Sequence, residues 1–145
     1  MATIVVGVDG SSGAHAALRY AAREAKDKHA TLRVVSAWTF PTMAYAGGIV
    51  PPIDPTVFEE RAADVAQEAT ASAAEEIKEV PIEMVVQEGQ PADVLVEAAR
   101  DADLLVVGSR GLGGFKELLL GSVSHQCAQH AHCPILIVPE SATRN

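Results

Sequence analysis

The stretch Gly108-Ser109-Arg110-Gly111-Leu112-Gly113-Gly114-Phe115-Lys116-Glu117-Leu118-Leu119-Leu120-Gly121-Ser122-Val123-Ser124 has the residue types needed to hold an anion. Its glycines let backbone N–H groups approach a ligand with no Cβ in the way, and Gly121-Ser122 opens a helical stretch. Consecutive N–H donors, a helix N-terminus and hydroxyls present fixed partial positive charge, which is the chemistry of a phosphate cradle. A glycine-rich surface loop with no ligand has the same composition, so glycine content alone leaves both readings open. Two common phosphate motifs are excluded. No Gly-Lys-Ser/Thr closes the stretch as a Walker A loop requires, and Gly111-x-Gly113-x-x-Lys116 lacks the last glycine of the dinucleotide fingerprint.

The elements that must position this stretch follow from periodicity. Asp103-Leu104-Leu105-Val106-Val107 is an apolar, β-branched run that reads as a strand buried on both faces, so the glycines begin where a central strand ends. Thr3 to Val8 is a similar run, followed by the turn Asp9-Gly10-Ser11-Ser12 with good N-cap residues. A helix to about Lys28 is predicted from Ala14, Ala17, Leu18, Ala21, Ala22 and Ala25 at helical spacing, whose small side chains allow close packing on a sheet. Leu32 to Ala37 is the second strand. Trp38 to Pro55 reads as a loop of roughly eighteen residues, longer than the usual connection and suited to a lid or a contact surface.

A long helix from Asp54 or Thr56 to about Lys78 follows, carrying Val57, Arg61, Val65, Glu68, Ser72 and Ile77. Ile82 to Gln87 is the third strand, Pro91 to Arg100 a short helix with Val94, Leu95 and Ala98 inward, and Leu104 to Val107 the fourth strand. Gly121 to Ala131 is a helix with Val123, Cys127 and Ala131 on one face, and Ile135 to Val138 is the last strand, stopped by Pro139. Five strands alternating with four helices make an open, doubly wound α/β parallel sheet of Rossmann-like type. The tail Ser141 to Asn145 is short and polar and is expected to fray.

At 145 residues the chain is expected to be one domain spanning 1–145. The net charge of −8, with scattered Lys and Arg, argues against nucleic acid and anionic membrane surfaces as partners. It leaves room for one small phosphorylated ligand held by backbone N–H groups and helped by Arg110, Lys116 or a divalent cation. Cys127 and Cys133 form no disulfide framework and no Cys-x-x-Cys pair. With no run of the ~18 apolar residues that a membrane span needs and no basic leader, the expected location is the cytoplasm.

The spacing Gly108-x2-Gly111-x9-Gly121-Ser122 resembles the ATP-binding signature of the universal stress protein family. Ile4-Val5-Val6-Gly7-Val8-Asp9-Gly10-Ser11 is similar to that family's first strand and turn, and Cys133-Pro134-Ile135-Leu136-Ile137-Val138-Pro139 to its last strand. The resemblance covers nearly the whole chain. It implies strand order 3-2-1-4-5, which would make the first and fourth strands neighbours and join the loops after them into one crevice. It further implies that Gly108, Gly111, Gly121 and Ser122 contact phosphate and ribose, with Arg110, Val123 and Ser124 as further nucleotide-binding candidates. Ala37 matches the position whose backbone contacts the adenine edge, and Asp9 the acidic residue that binds a ribose hydroxyl or Mg²⁺ on the phosphates. For Asp9 a helix N-cap is the alternative, and for Arg110 and Lys116 simple solvation.

Other constellations read less well. His125, Cys127, His130, His132 and Cys133 look like a zinc cluster along the chain, but helix positions 125 and 127 point about 200° apart. His15 and His29 have no partner at a catalytic spacing, and Ser109, His125 and Asp9 lack the nucleophile elbow of a hydrolase. A phosphoreceiver domain would need paired acids after strand one and a Lys ending strand five, where this chain has a single Asp9 and Pro139-Glu140. A flavodoxin would carry its phosphate loop after strand one. The expectation is therefore a nucleotide-binding module, and the family resemblance implies that it binds ATP, with or without Mg²⁺, and regulates a stress response through an unidentified protein partner, with no catalytic residue assigned. The alternatives are a slow ATPase or phosphotransfer enzyme and a nucleotide-free dimeric scaffold. In the strand order that the resemblance implies, the apolar run Ile135-Leu136-Ile137-Val138 is an edge strand that lacks a protective charge, which predicts a homodimer paired through it.

Overall fold

Apolar β-branched runs that must be covered on both sides, alternating with helices rich in alanine, dictate a sheet sandwiched between two helix layers. The computed structural model, which describes residues 2–40, 54–111 and 120–139, has this form. In chain order its elements are β1 (Thr3–Gly7), α1 (Ser12–Lys28), β2 (Thr31–Trp38), α2 (Thr56–Ser72), β3 (Ile82–Glu88), α3 (Pro91–Ala98), β4 (Leu104–Gly108), α4 (Ser122–His130) and β5 (Ile135–Val138). The five-stranded sheet has the order β3-β2-β1-β4-β5, with every neighbouring pair parallel. The strand order that the resemblance implied is the one observed.

Two apolar clusters flank the sheet. On one face Ile4, Val6 and Val106 pack beneath the α1 residues Ala17, Leu18, Ala21 and Ala22, with Ala66 and Ala69 of α2 beside them. On the other, Val5, Val35, Leu105 and Val107 pack against Leu95 of α3 and Cys127 of α4. The alternation along β1 and β4 assigns successive side chains to opposite clusters. Helix α1 is started by Ser11, whose Oγ accepts from Ala14 N–H at 3.1 Å, and ended by His29 in the left-handed region with Ala30 N–H reaching back to Ala25 O at 2.8 Å.

Several boundaries differ from the sequence expectation. Trp38 completes β2 instead of opening the loop, because β3 continues alongside and Gly89 N–H donates to Trp38 O at 2.8 Å. Helix α2 stops at Ser72, short of Lys78. From Ala73 the backbone tightens into turns, Val80 N–H donates to Ile77 O at 2.9 Å, and Glu79 adopts φ 68°, which reverses the chain into β3. The buried face of α2 is Ala62, Ala66, Ala69 and Thr70, while Val57 is exposed, since small side chains let the helix sit close to the sheet. Phe40, just after β2, packs edge-on against Phe58 of α2 with ring centres 5.6 Å apart. The rest of the loop at 41–53, the segment 112–119 with Gly113, Gly114, Lys116 and Glu117, and the tail from Glu140 lie outside the described residues.

Helix α1 leaves β1 to cover one face, and α4 leaves the loop after β4 to cover the other. Between two central strands whose helices diverge, the sheet opens a crevice at its carboxyl end.

Candidate functional site

That crevice is built from the ends of β1, β2 and β4 and from the starts of α1, α3 and α4. Its cavity volume is about 90 Å³, and its walls include Val8, Asp9, Ser11, Val35, Ala37, Pro91, Leu95, Val107, Gly108, Arg110, Gly111, Val123 and Ser124. The lining divides by chemistry. Val8, Val35, Ala37, Pro91, Leu95, Val107 and Val123 make an apolar part, and Asp9, Ser11, Arg110 and the backbone of Gly108 and Gly111 a polar part.

The polar part is held together by close backbone approach. A Cβ on Gly108 would lie 3.0 Å from the backbone of Gly13, and one on Gly13 would lie 2.9 Å from Arg110 O. The first turn of α1 therefore rests directly on the end of β4, a contact that side chains would prevent. A Cβ on Gly111 would drive into Asp9 Oδ2, so that the turn after β1 and the loop after β4 meet at this point. Asp9 Oδ1 is fixed from within its own turn, accepting from Ser11 N–H at 2.9 Å and from Ser11 Oγ–H at 2.5 Å. The N-cap of α1 is Ser11, and Asp9 orients that cap instead of serving as it.

At the far side, Gly121 is the N-cap of α4 and donates its N–H to Ser109 O at 2.6 Å. Val123 and Ser124 bring the first turn of α4 to the crevice wall, and the opening N–H groups of any helix have no partner within it. With α1 starting opposite, helix N-termini supply partial positive charge to the same space. Ser124 is buried, and its hydroxyl lies 2.8 Å from Ser109 O and 3.1 Å from Gly121 O.

The apolar part ends in an unused strand edge. β1 stops at Gly7 while β2 runs on to Trp38. Val35 O accepts from Val8 N–H on the β1 side, and Trp38 O accepts from Gly89 N–H on the β3 side. Backbone groups alternate along a strand, so Ala37 shares the side of Val35. Its N–H and C=O thus project past the end of β1 beside the crevice it lines, and among the described residues neither has a backbone partner.

Of the residues singled out in the sequence, Asp9, Ala37, Gly108, Arg110, Gly111, Val123 and Ser124 come together around this space. Gly121 is buried behind it against Ser109 and Arg110, and Ser122 is exposed on the first turn of α4; neither lines the crevice. Gly13, Pro91 and Leu95 were missed. The signal for Gly13 was a glycine inside the first turn of an alanine-rich helix, where it costs stability unless close packing requires it.

The histidine and cysteine cluster does not assemble. His125, His130 and His132 are exposed, Cys127 points into the core, and among the described residues no group of three or more metal-ligating side chains exists. Both cysteines are free. Burial pushes the Cys127 thiol up to about 11, and burial followed by the charge of Asp103 raises that of Cys133. Among the described residues no helix is long and apolar enough to cross a membrane.

Comparison with known proteins bears on this crevice. Residues 1–139 match the model of the universal stress protein family. A universal stress protein of Mycobacterium tuberculosis is 37% identical over 142 residues, covering 98% of this chain and 46% of that protein. The chain thus spans about half the length of that relative. The universal stress protein YxiE of Bacillus subtilis is 35% identical over 145 residues, covering 93% of this chain and 97% of its own. Among solved structures, a universal stress protein in complex with cAMP superposes with a TM-score of 0.71 at 30% identity, covering 94% of this chain and 96% of that one.

Proposed function

The chain belongs to the universal stress protein family, and we propose that it is an ATP-binding member, a nucleotide-dependent regulatory module of a stress response without strong catalysis. The observation that carries the reading is the division of the crevice. An apolar slot suits a flat purine, and a backbone cradle flanked by helix N-termini suits phosphates. Similarity to a structure that holds cAMP supports an adenine nucleotide as the ligand class.

Within that class the residues divide as follows. The N–H and C=O of Ala37 match the acceptor and donor on the edge of adenine, between the walls of Val8, Val35, Leu95 and Val107. Gly108 and Gly111 offer N–H groups to ribose and phosphate, while Arg110, Gly121, Ser122, Val123 and Ser124 complete the cradle around the start of α4. Asp9, anchored through Oδ1 by Ser11, would hold a ribose hydroxyl or Mg²⁺ carried by ATP. The bound nucleotide supplies a charge and a shape that a partner protein reads. Asp9 is the one carboxylate among the described lining residues, and its anchoring favours a ligand role over proton transfer.

The same reading makes the protein a cytoplasmic homodimer. β5 is an edge strand whose Ile135, Leu136 and Ile137 remain half-buried in the single chain, and a second copy pairing along it would cover them. Light scattering at micromolar concentration is expected to give twice the chain mass; a monomer would remove this part of the proposal.

Denaturing the freshly purified protein and quantifying released adenine nucleotide tests the function. Near-stoichiometric ATP is expected from the wild type and none from Gly121→Val, because a branched side chain there meets the backbone of Arg110 and Ser109. ADP in place of ATP would transfer the case to a slow ATPase. No nucleotide, and no binding on titration with ATP and Mg²⁺, would leave a dimeric scaffold.

A further inference from the structure

We propose that Ser124 is a positioning residue whose hydroxyl ties the end of β4 to the start of α4, holding the cradle in its binding shape while only the Ser124 backbone, and not that hydroxyl, faces the nucleotide; this rests on the function proposed above. Ser109 follows the last residue of β4 and Gly121 precedes the first of α4. One oxygen ties the two together. Ser109 O accepts both Gly121 N–H at 2.6 Å and the Ser124 hydroxyl at 2.8 Å, and the same hydroxyl lies 3.1 Å from Gly121 O.

The anchor is itself tied to the sheet. Ser109 N–H donates to Val138 O at 2.8 Å, tying it to the last residue of β5, and Ser109 is itself buried. Ser124 has 1% of its surface exposed and carries a single hydroxyl proton, which is directed to these carbonyls. A hydroxyl so engaged has no proton to donate to a phosphate. What it does instead is fix the separation between Gly108 and Gly111 on one strand end and the first turn of α4 on the other. That separation sets whether the N–H groups of both sides converge on one ligand, and a misplacement of about 1 Å is enough to lose such convergence.

The latch differs from a ligand role in a way that can be measured without nucleotide. Removing a phosphate ligand leaves the empty protein unchanged, whereas removing a latch loosens the Gly121 amide even when the crevice is empty. Amide hydrogen exchange followed by NMR on nucleotide-free protein, with calorimetric titration of ATP and Mg²⁺, therefore compares wild type, Ser124→Ala, Ser124→Thr and Ser122→Ala. Ser124→Ala is smaller than the native residue and leaves Ser109 O with Gly121 N–H and Gly121 O with His125 N–H, so its fold is kept.

In Ser124→Ala the Gly121 amide is expected to exchange about tenfold faster or more, with ATP affinity lowered by a similar factor. Ser124→Thr, which keeps the hydroxyl, restores both, and Ser122→Ala leaves Gly121 exchange as in the wild type. Unchanged Gly121 exchange in Ser124→Ala, with ATP affinity lost, would overturn the latch and make Ser124 a direct ligand. A wild type that binds no ATP while the exchange difference persists would instead overturn the function proposed above and leave the latch standing.

Discussion

Two concave regions lie at the carboxyl end of the same sheet, and they differ in the way that matters. The central crevice lies between β1 and β4; the outer groove lies between the edge strand β3 and α3, lined by Val85, Gln87, Glu88, Gly89, Gln90, Asp93, Val94, Glu97 and Ala98. The groove is the larger, about 480 Å³ against about 90 Å³. Size therefore does not identify the site. The groove carries Glu88, Asp93 and Glu97, charges that repel a phosphate, where the crevice carries Asp9 alone among its described acids. The crevice also sits where the helices after β1 and β4 diverge to opposite faces, so helix starts and glycine backbones converge on it. Position in the topology, and the chemistry it gathers, separate the proposed site from the outer recess.

The comparison breaks most sharply at Gly111. Gly111→Ala places a Cβ on Asp9 Oδ2 and is expected to weaken ATP binding about a hundredfold, roughly 3 kcal/mol by calorimetry, with little change in the unfolding midpoint. Gly108→Ala forces a Cβ to within 3.0 Å of the Gly13 backbone. It is expected to cost stability as well, about 1–3 kcal/mol in urea denaturation, because β4 and α1 must separate.

Smaller effects sharpen the same contrast. Ser11→Ala removes the cap of α1 and the partner of Asp9 Oδ1, for about 1 kcal/mol of stability and a measurable loss of Mg²⁺-dependent ATP affinity. The crevice floor of Leu95 and Val107 belongs to the cluster that buries Cys127, whose thiol is pushed up to about 11 from 9.0. Between pH 9 and about 11 the unfolded chain has released this proton and the folded chain has kept it. The Cys127 contribution to stability is therefore level below pH 9 and falls through that window, and Cys127→Ala should flatten the fall in denaturation curves taken across it. Least of all, Glu88→Gln with Asp93→Asn in the outer groove should change ATP affinity by less than about twofold, a shift under 0.5 kcal/mol.

Much of the fold is legible in the sequence. Continuous β-branched runs and an alanine stripe leave few alternatives to a covered parallel sheet, and the glycine stretch announced itself by its place after Val107. The strand order came from the family resemblance, because periodicity says nothing about which strands are neighbours. What escaped was set by tertiary contact. Gly13 has no local signature apart from its type, and its role exists only because β4 passes beneath it. Helix α2 ends at Ser72 though nothing in the sequence from Ala73 to Lys78 forbids a helix, because the chain must turn to reach β3. The direction of the Ser124 hydroxyl is likewise decided by Ser109, fifteen residues away.

The most direct test of the central claim is an NMR titration of the uniformly labelled protein with ATP and Mg²⁺, following backbone amides. If the nucleotide occupies the crevice between β1 and β4, the amides of Ala37, Gly108, Gly111 and Ser122 shift together and saturate, while those of Glu88, Gly89 and Asp93 stay in place. Shifts confined to the outer groove, or none at saturating nucleotide, would contradict the account.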